Sequence, residues 1–292
     1  MSNEPIRLVK LDSLMQQSSG VSDVVIGLID GPIAMDHPEL AGGNIHVTGG
    51  SSGACSLSSS IACQHGTFVA GILSAQRGSS APAICPDCTL VLRPIFPEST
   101  SNGAGMPAAT PLELAAAILE TVEAGARIIN LSAALLQPTP TGVKKLQDSL
   151  DFAAARGALT VAAAGNQGTI GSSVITRHPW VIPVAGCGLD GQPLSESNFG
   201  NSIGRRGLCA PAEGITSLGS DGQPRLFGGT SAAAPFVTGT IALLWSVFPS
   251  ATVAQIKSAL LLGNGARRST VIPPLLDAAA AYQAMTVART YR

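Results

Sequence analysis

Four residues of this chain have the means to do covalent chemistry together: a serine at the mouth of an apolar helix, a histidine, an aspartate and an asparagine. Ser231 lies in Gly228-Gly229-Thr230-Ser231-Ala232-Ala233-Ala234-Pro235, and no Lys, Arg, Asp or Glu interrupts residues 226–256. Glycines before the serine let the backbone turn sharply, and a helix start places Oγ near the positive end of the helix dipole. Gly-Thr-Ser before an apolar helix is also what an ordinary N-cap looks like, so the tripeptide alone does not decide between cap and nucleophile. A serine nucleophile needs a base to take its proton, a third group to hold the base, and donors for the oxyanion that forms. Asp30, His65 and Asn166 stand upstream as candidates for those parts.

The elements that must position them follow from hydrophobic pattern. Residues 24–30 (VVIGLID) form a short apolar run ending on an acid and then Gly31-Pro32, which predicts a buried strand with Asp30 at its carboxyl edge. Residues 41–61 are rich in Gly and Ser and predict a surface loop, after which a helix opens with His65 at its start. Further strands are predicted at 89–96, 127–132, 159–164, 181–185 and 208–210, and helices at 112–124, 142–155, 231–247, 252–262 and 274–284. Strands alternating with helices and joined by Gly-rich loops imply an α/β fold, a mostly parallel central sheet with helices on both faces. No repeat or linker divides the chain, so residues 1–292 are expected to form one domain. Carboxyl ends of such a sheet are where sites are built, and Asp30, Ser132 and Asn166 would meet at that rim, with His65 and Ser231 arriving on helix starts.

Composition excludes several partners. Charged residues make up 12% and the formal net charge is −1, so there is no basic field for nucleic acid or an anionic membrane. The uncharged stretch 226–256 holds Pro235, Gly239 and Pro249 and no span of about 18 clean apolar residues, so a buried central helix is expected rather than a membrane span. The start Met1-Ser2-Asn3-Glu4-Pro5 has no basic, apolar or small-residue cleavage pattern, which points to a cytoplasmic protein, or a secreted one if a leader has been removed. Six cysteines leave pairing and redox state open. Cys85-Pro86-Asp87-Cys88 has the spacing of half a zinc or redox motif, but no second CxxC or His pair completes it, and no metal is assigned. Cys187 and Cys209 are the first candidates for a disulfide, because their short strands would be neighbours. The oligomeric state is not legible.

Taken together, the blocks Ile29-Asp30-Gly31, His37-Pro38-Glu39-Leu40, His65-Gly66-Thr67-Phe68-Val69-Ala70-Gly71, Ile129-Asn130-Leu131-Ser132, Ala162-Ala163-Ala164-Gly165-Asn166 and Gly229-Thr230-Ser231-Ala232-Ala233-Ala234-Pro235 resemble the subtilisin-like serine proteases, in order and in rough spacing. The resemblance implies a three-layer subtilisin-like fold and a serine endopeptidase. In it Ser231 would be the nucleophile, His65 the general base and then acid, Asp30 the carboxylate that orients the imidazole, and Asn166 the side-chain oxyanion donor beside the Ser231 N–H. It also implies that a peptide or protein substrate pairs with Leu131-Ser132-Ala133 by strand addition and drops a side chain into a pocket lined by Ala163, Gly165 and Gln167.

The chain departs from the family pattern in places. Gly31-Pro32 follows Asp30 where a hydroxyl residue and then Gly are usual, so a hydroxyl beside the carboxylate is missing. Ala232 stands where Met commonly follows the nucleophile, which predicts unusual resistance to peroxide. Glu39 matches a frequent calcium ligand, but Arg77-Gly78-Ser79-Ser80-Ala81-Pro82 lacks the Asn-rich pattern that completes that site, so neither calcium nor any other cofactor is assigned. The Asp-Gly-Pro variant, with no export signal or pro-region before it, is similar to the proteases of cyanobactin-type peptide maturation. The interval from Asp30 to His65 is too short for the helical insertion of the macrocyclising relatives, so hydrolysis is expected. The alternative is a catalytically silent peptide-binding module on the same fold, which would have no need of these four groups together.

Overall fold

Short apolar runs punctuated by glycine and proline are forced into a sheet covered on both faces, because neither face can be left to water. The structure, a computed structural model, describes residues 4–50, 52–99, 109–132, 141–262 and 270–290. Its strands are β1 (Val25–Asp30), β2 (Ile45–Val47), β3 (Thr89–Pro94), β4 (Ile128–Leu131), β5 (Leu159–Ala163), β6 (Val181–Cys187) and β7 (Leu208–Pro211), with a hairpin of β8 (Ile215–Leu218) and β9 (Pro224–Phe227). Among the described residues the main sheet runs β2-β3-β1-β4-β5-β6-β7, parallel at every pairing. The chain builds β2 and β3 on one side of β1 and then places β4 on the other. That reversal opens a crevice at the carboxyl ends of β1 and β4, where side chains can gather.

The helices are α1 (Glu4–Leu8), α2 (Asp12–Gln17), α3 (Ile61–Ser74), α4 (Pro111–Glu123), α5 (Val143–Ala155), α6 (Val174–Arg177), α7 (Asn201–Arg206), α8 (Thr230–Val247), α9 (Val253–Leu262) and α10 (Ala278–Thr290). Alternation along the strands divides the core. Ile26, Leu28, Ile128 and Val161 pack with Phe68, Ile72, Phe236 and Ile241 of α3 and α8, whereas Ile29, Ile129, Leu131 and Ala162 pack with Leu114, Ile118, Leu146 and Leu150 of α4 and α5. α8 is long and apolar enough to cross a membrane, but 83% of it is buried inside the fold, against β4 to β7 and α3. It is the central helix that the uncharged stretch predicted.

Several features differ from the expectations, among them the unpredicted short helices α1, α2, α6 and α7. The predicted loop before His65 contains the edge strand β2, too short and too Gly-flanked to show a period. The hairpin β8–β9 went unpredicted because Pro224 and the half-exposed residues of β9 hide its alternation. α10 begins at Ala278 rather than 274, since Leu276 N–H instead donates to the Cys209 carbonyl at 2.8 Å and extends the edge of β7.

Candidate active site

Asp30 ends β1 and is fully buried. Its Oδ1 accepts from the Gly31 N–H at 2.7 Å and lies 2.7 Å from His65 Nδ1. A carboxylate only accepts, so Nδ1 carries the proton and the lone pair of a neutral imidazole sits on Nε2. That nitrogen lies 2.9 Å from Ser231 Oγ. Exposure rises outward along this line: Asp30 0%, His65 6%, Ser231 half-buried. The carboxylate is sealed from water while the hydroxyl faces the crevice, which suits a charge that orients and a group that reacts.

Two glycines make the approach of α3 to β1 possible. A Cβ on Gly31 would lie 2.1 Å from the Ala62 carbonyl oxygen, and one on Gly66 would lie 2.4 Å from that of Pro32. Backbone thus meets backbone beside Asp30, and the hydroxyl residue usual after the aspartate has no room here. The second carboxylate oxygen, Oδ2, is buried with no hydrogen-bond partner among the described residues, as the missing hydroxyl predicts. His65 is placed differently from the expectation: α3 starts at Ile61, so the histidine lies one turn in. The Cys55–Cys63 disulfide, spanning a separation of 8 residues, ties the preceding loop to that first turn.

α8 delivers Ser231 as its second residue. Its N-cap is Gly229, at φ 89°, which has no side chain to cap the helix. The cap comes from Asn166 instead: its Oδ1 accepts the Thr230 N–H at 2.8 Å. Because an N–H faces Oδ1, the amide's NH₂ is turned the other way, and it has no acceptor among the described residues. Thr230 Oγ1 in turn accepts the Gly165 N–H at 3.1 Å. Ala232 and Ala233 donate back to the Gly229 carbonyl, and the Ser231 N–H, at the positive end of the helix, has no acceptor among the described residues. Phe227 packs edge-on against Phe68 of α3, with ring centres 5.1 Å apart, and Ser217 Oγ donates to the Phe68 carbonyl at 2.8 Å. The unpredicted hairpin is therefore what clamps the approach to Ser231 onto the helix that carries His65.

The remaining expected residues fall as follows. Leu131 is buried at the end of β4, and Ser132 Oγ accepts from Asn130 Nδ2 at 2.8 Å, while Asn130 Oδ1 accepts from Thr238 of α8 at 2.8 Å. Ala133 lies outside the described residues. Ala163 is half-buried, Gly165 is buried with φ 103°, and Gln167 is exposed. Asn198 was not foreseen, and its side chain reaches across to Ala164, Gln167 and Thr169. Nothing in its local sequence marks it, since its partners lie about thirty residues upstream.

The cysteine expectation is corrected. Strands β6 and β7 are neighbours, but their register sets Cys209 opposite Ala185 and Cys187 opposite Pro211, so Cys187 and Cys209 remain buried thiols, each pushed up to about 12 by burial. They are inert at neutral pH. Cys85 and Cys88 are also free buried thiols, and Cys88 Sγ lies 4.0 Å from Ser246 Oγ. In the loop after α3, the Arg77 guanidinium donates to the carbonyls of Met15, Ser18 and Ile84, bringing a fixed positive charge among backbone oxygens that join α2 to this loop.

With this geometry in hand, comparison with known proteins is informative. Residues 21–270 match the model of the subtilase family, Peptidase S8. Subtilisin NAT of Bacillus subtilis subsp. natto is 30% identical over 271 residues, covering 89% of this chain and 66% of that protein, so the chain spans about two thirds of such a relative. Among solved structures, a mutant of the protease domain of PatA superposes with a TM-score of 0.82 at 29% identity, covering 92% of this chain and 97% of that one. The prenylagaramide maturation protease PagA gives 0.80 at 26% identity, covering 94% and 98%. A family model matched over residues 21–270 and a relative 30% identical over 89% of the chain show that it belongs to the subtilase family of serine proteases.

Proposed function

We propose that this chain is a serine endopeptidase that hydrolyses peptide bonds through an acyl-enzyme on Ser231. The observation that carries the reading is the unbroken line Asp30 Oδ1, His65 Nδ1, His65 Nε2, Ser231 Oγ at 2.7 and 2.9 Å, beside an Asn166 Nδ2 that has no acceptor among the described residues. His65 Nε2 takes the hydroxyl proton as Oγ attacks the carbonyl carbon, and the imidazolium is stabilised by the buried Asp30 carboxylate. The carbonyl oxygen becomes an oxyanion held by Asn166 Nδ2 and the Ser231 N–H. His65 then gives its proton to the leaving nitrogen, the C–N bond breaks, and water activated by the same imidazole releases the acyl group. Every step uses groups of the chain and water.

The substrate is an extended peptide, pairing with Leu131 and Ser132 at the end of β4 and presenting a side chain to Ala163, Gly165 and Gln167. Precursor-peptide processing fits best, given the likeness over nearly the whole chain to PagA and to the patellamide maturation protease PatA. Hydrolysis fits better than ring closure, because among the described residues only β2 and the single turn Pro38–Leu40 stand between β1 and α3.

An active-site phosphonate tests the reading. One adduct on Ser231, absent from His65→Ala, is expected, together with new peptide termini from a diverse library. A folded protein that never labels and never cleaves favours the silent peptide-binding module.

A further inference from the structure

Asn198 belongs to no motif singled out in the sequence, yet its carboxamide hydrogen-bonds to Ala164, Gln167 and Thr169 of the loop that carries Asn166. Oδ1 accepts from the backbone N–H of Gln167 at 3.0 Å, the N–H of Thr169 at 3.1 Å and Thr169 Oγ1 at 3.0 Å. Nδ2 donates to the Ala164 carbonyl at 3.2 Å and to Gln167 Oε1 at 2.7 Å. The backbone continues the attachment: Asn198 N–H donates to the Gly165 carbonyl at 2.9 Å, and Gly168 N–H donates to the Glu196 carbonyl at 2.8 Å.

A loop needs such an outside support here. Gly165 and Gly168 both have positive φ, 103° and 60°, so the segment leaves the extended path of β5 and cannot satisfy its own N–H groups by continuing the sheet. Between Ala164 and Thr169 lies Asn166, held on one side by Thr230 through Oδ1. Thr230 fixes the amide's direction. The backbone from which that amide projects is fixed from the other side, by Asn198. A Cβ at Gly165 would lie 2.4 Å from Asn198 Nδ2, so the two pack with no room between them.

We propose that Asn198 is the positioning residue for the oxyanion donor: a side chain shaped like a peptide group that acts as an extra rung on the loop and sets where Asn166 Nδ2 stands. The proposal rests on the protease reading above. A donor must meet the oxyanion within a few tenths of an ångström, and misplacement by about 1 Å costs on the order of 10²-fold in rate. Asn198 thus acts on the transition state through Asn166 and, because it also holds Gln167, on one wall of the side-chain pocket.

The test is a kinetic double-mutant cycle with full-length protein and a chromogenic peptide that the wild type cleaves. Asn198→Ala is expected to lower kcat by about 10- to 100-fold with a smaller change in KM. Asn166→Ala is expected to cost far less in the Asn198→Ala background than in wild type, since the donor is already misplaced there. Asn198→Asp, which keeps the acceptor bonds and loses both donors, provides a second, milder variant should the alanine form fail to fold, and thermal unfolding checks both. Additive losses, or kcat unchanged in folded variants, would overturn the proposal. If wild type cleaves no peptide and Ser231 takes no phosphonate, the protease reading fails first and takes this proposal with it; if wild type cleaves and the cycle is additive, only the positioning role is lost.

Discussion

Two helix starts in this molecule solve the same problem in opposite ways. α4 caps itself: Thr110 Oγ1 accepts the Glu113 N–H at 3.2 Å, Glu113 Oε2 accepts the Thr110 N–H at 2.8 Å, and Pro111 opens the helix where an N–H would be wasted. α8 has Gly229 at the equivalent place and makes no side-chain cap of its own. One of its first N–H groups is taken by Asn166 from 64 residues upstream, and the Ser231 N–H has no acceptor among the described residues. A helix whose cap is local is finished as structure. One whose cap is borrowed from a distant loop can couple that loop to its own first turn, and here the borrowed residue is also the proposed oxyanion donor. Of the two readings of Gly-Thr-Ser, this contrast favours the nucleophile, since the hydroxyl of Ser231 lies against His65 Nε2 rather than capping its own helix.

The contrast can be broken most severely at the nucleophile. Ser231→Ala should lower kcat on the order of 10⁶-fold while leaving peptide affinity within a few-fold, measured by hydrolysis and by direct binding. Residual turnover close to wild type would remove α8 from the chemistry. Asn166→Ala comes next, with about 10²–10³-fold lost from kcat and little change in KM, because the donor is used in the transition state. The mirror experiment at α4 should do the reverse: Thr110→Ala costs about 0.5–2 kcal/mol of stability in denaturant unfolding and leaves kcat alone.

The smallest effect sharpens the comparison through pH. The Thr110 N–H and hydroxyl hold the Glu113 carboxyl below its ordinary value of 4.5. A carboxyl lowered in the folded state contributes stability that is present above the unfolded value and lost as the pH falls through the folded one. The stability difference between wild type and Glu113→Gln should therefore be present at neutral pH and fade below about 4.5, small throughout because the pair is exposed. A difference that grew on acidification would reverse the assignment of that cap.

Much of the site was legible because its parts are local. Asp30 is readable as the end of an apolar run followed by Gly-Pro, and Ser231 as the mouth of an uncharged helix, since burial and turn chemistry act over a few residues. Gly31 was legible as a missing hydroxyl, and Oδ2 of Asp30 stands without a partner accordingly. Asn198, the β8–β9 hairpin and the Cys55–Cys63 bond were not legible. Each depends on which segments lie side by side, and sheet register decides that: two neighbouring strands with cysteines still fail to make a disulfide when Cys209 sits opposite Ala185.

By itself, the order of residues determined the α/β architecture and the apolar helix at its centre, and it marked Asp30, His65, Asn166 and Ser231 as candidates whose roles the family resemblance implied, because periodicity and side-chain chemistry are written along the chain. Tertiary structure alone decided how closely those groups meet. Backbone packing through Gly31 and Gly66 sets the aspartate–histidine distance, the Phe68–Phe227 contact sets α3 against the approach to Ser231, and Thr230 and Asn198 set the amide of Asn166 from opposite sides. Hydrogen bonds discriminate over tenths of an ångström, whereas a sequence pattern discriminates over whole residues, so the former had to wait for the fold.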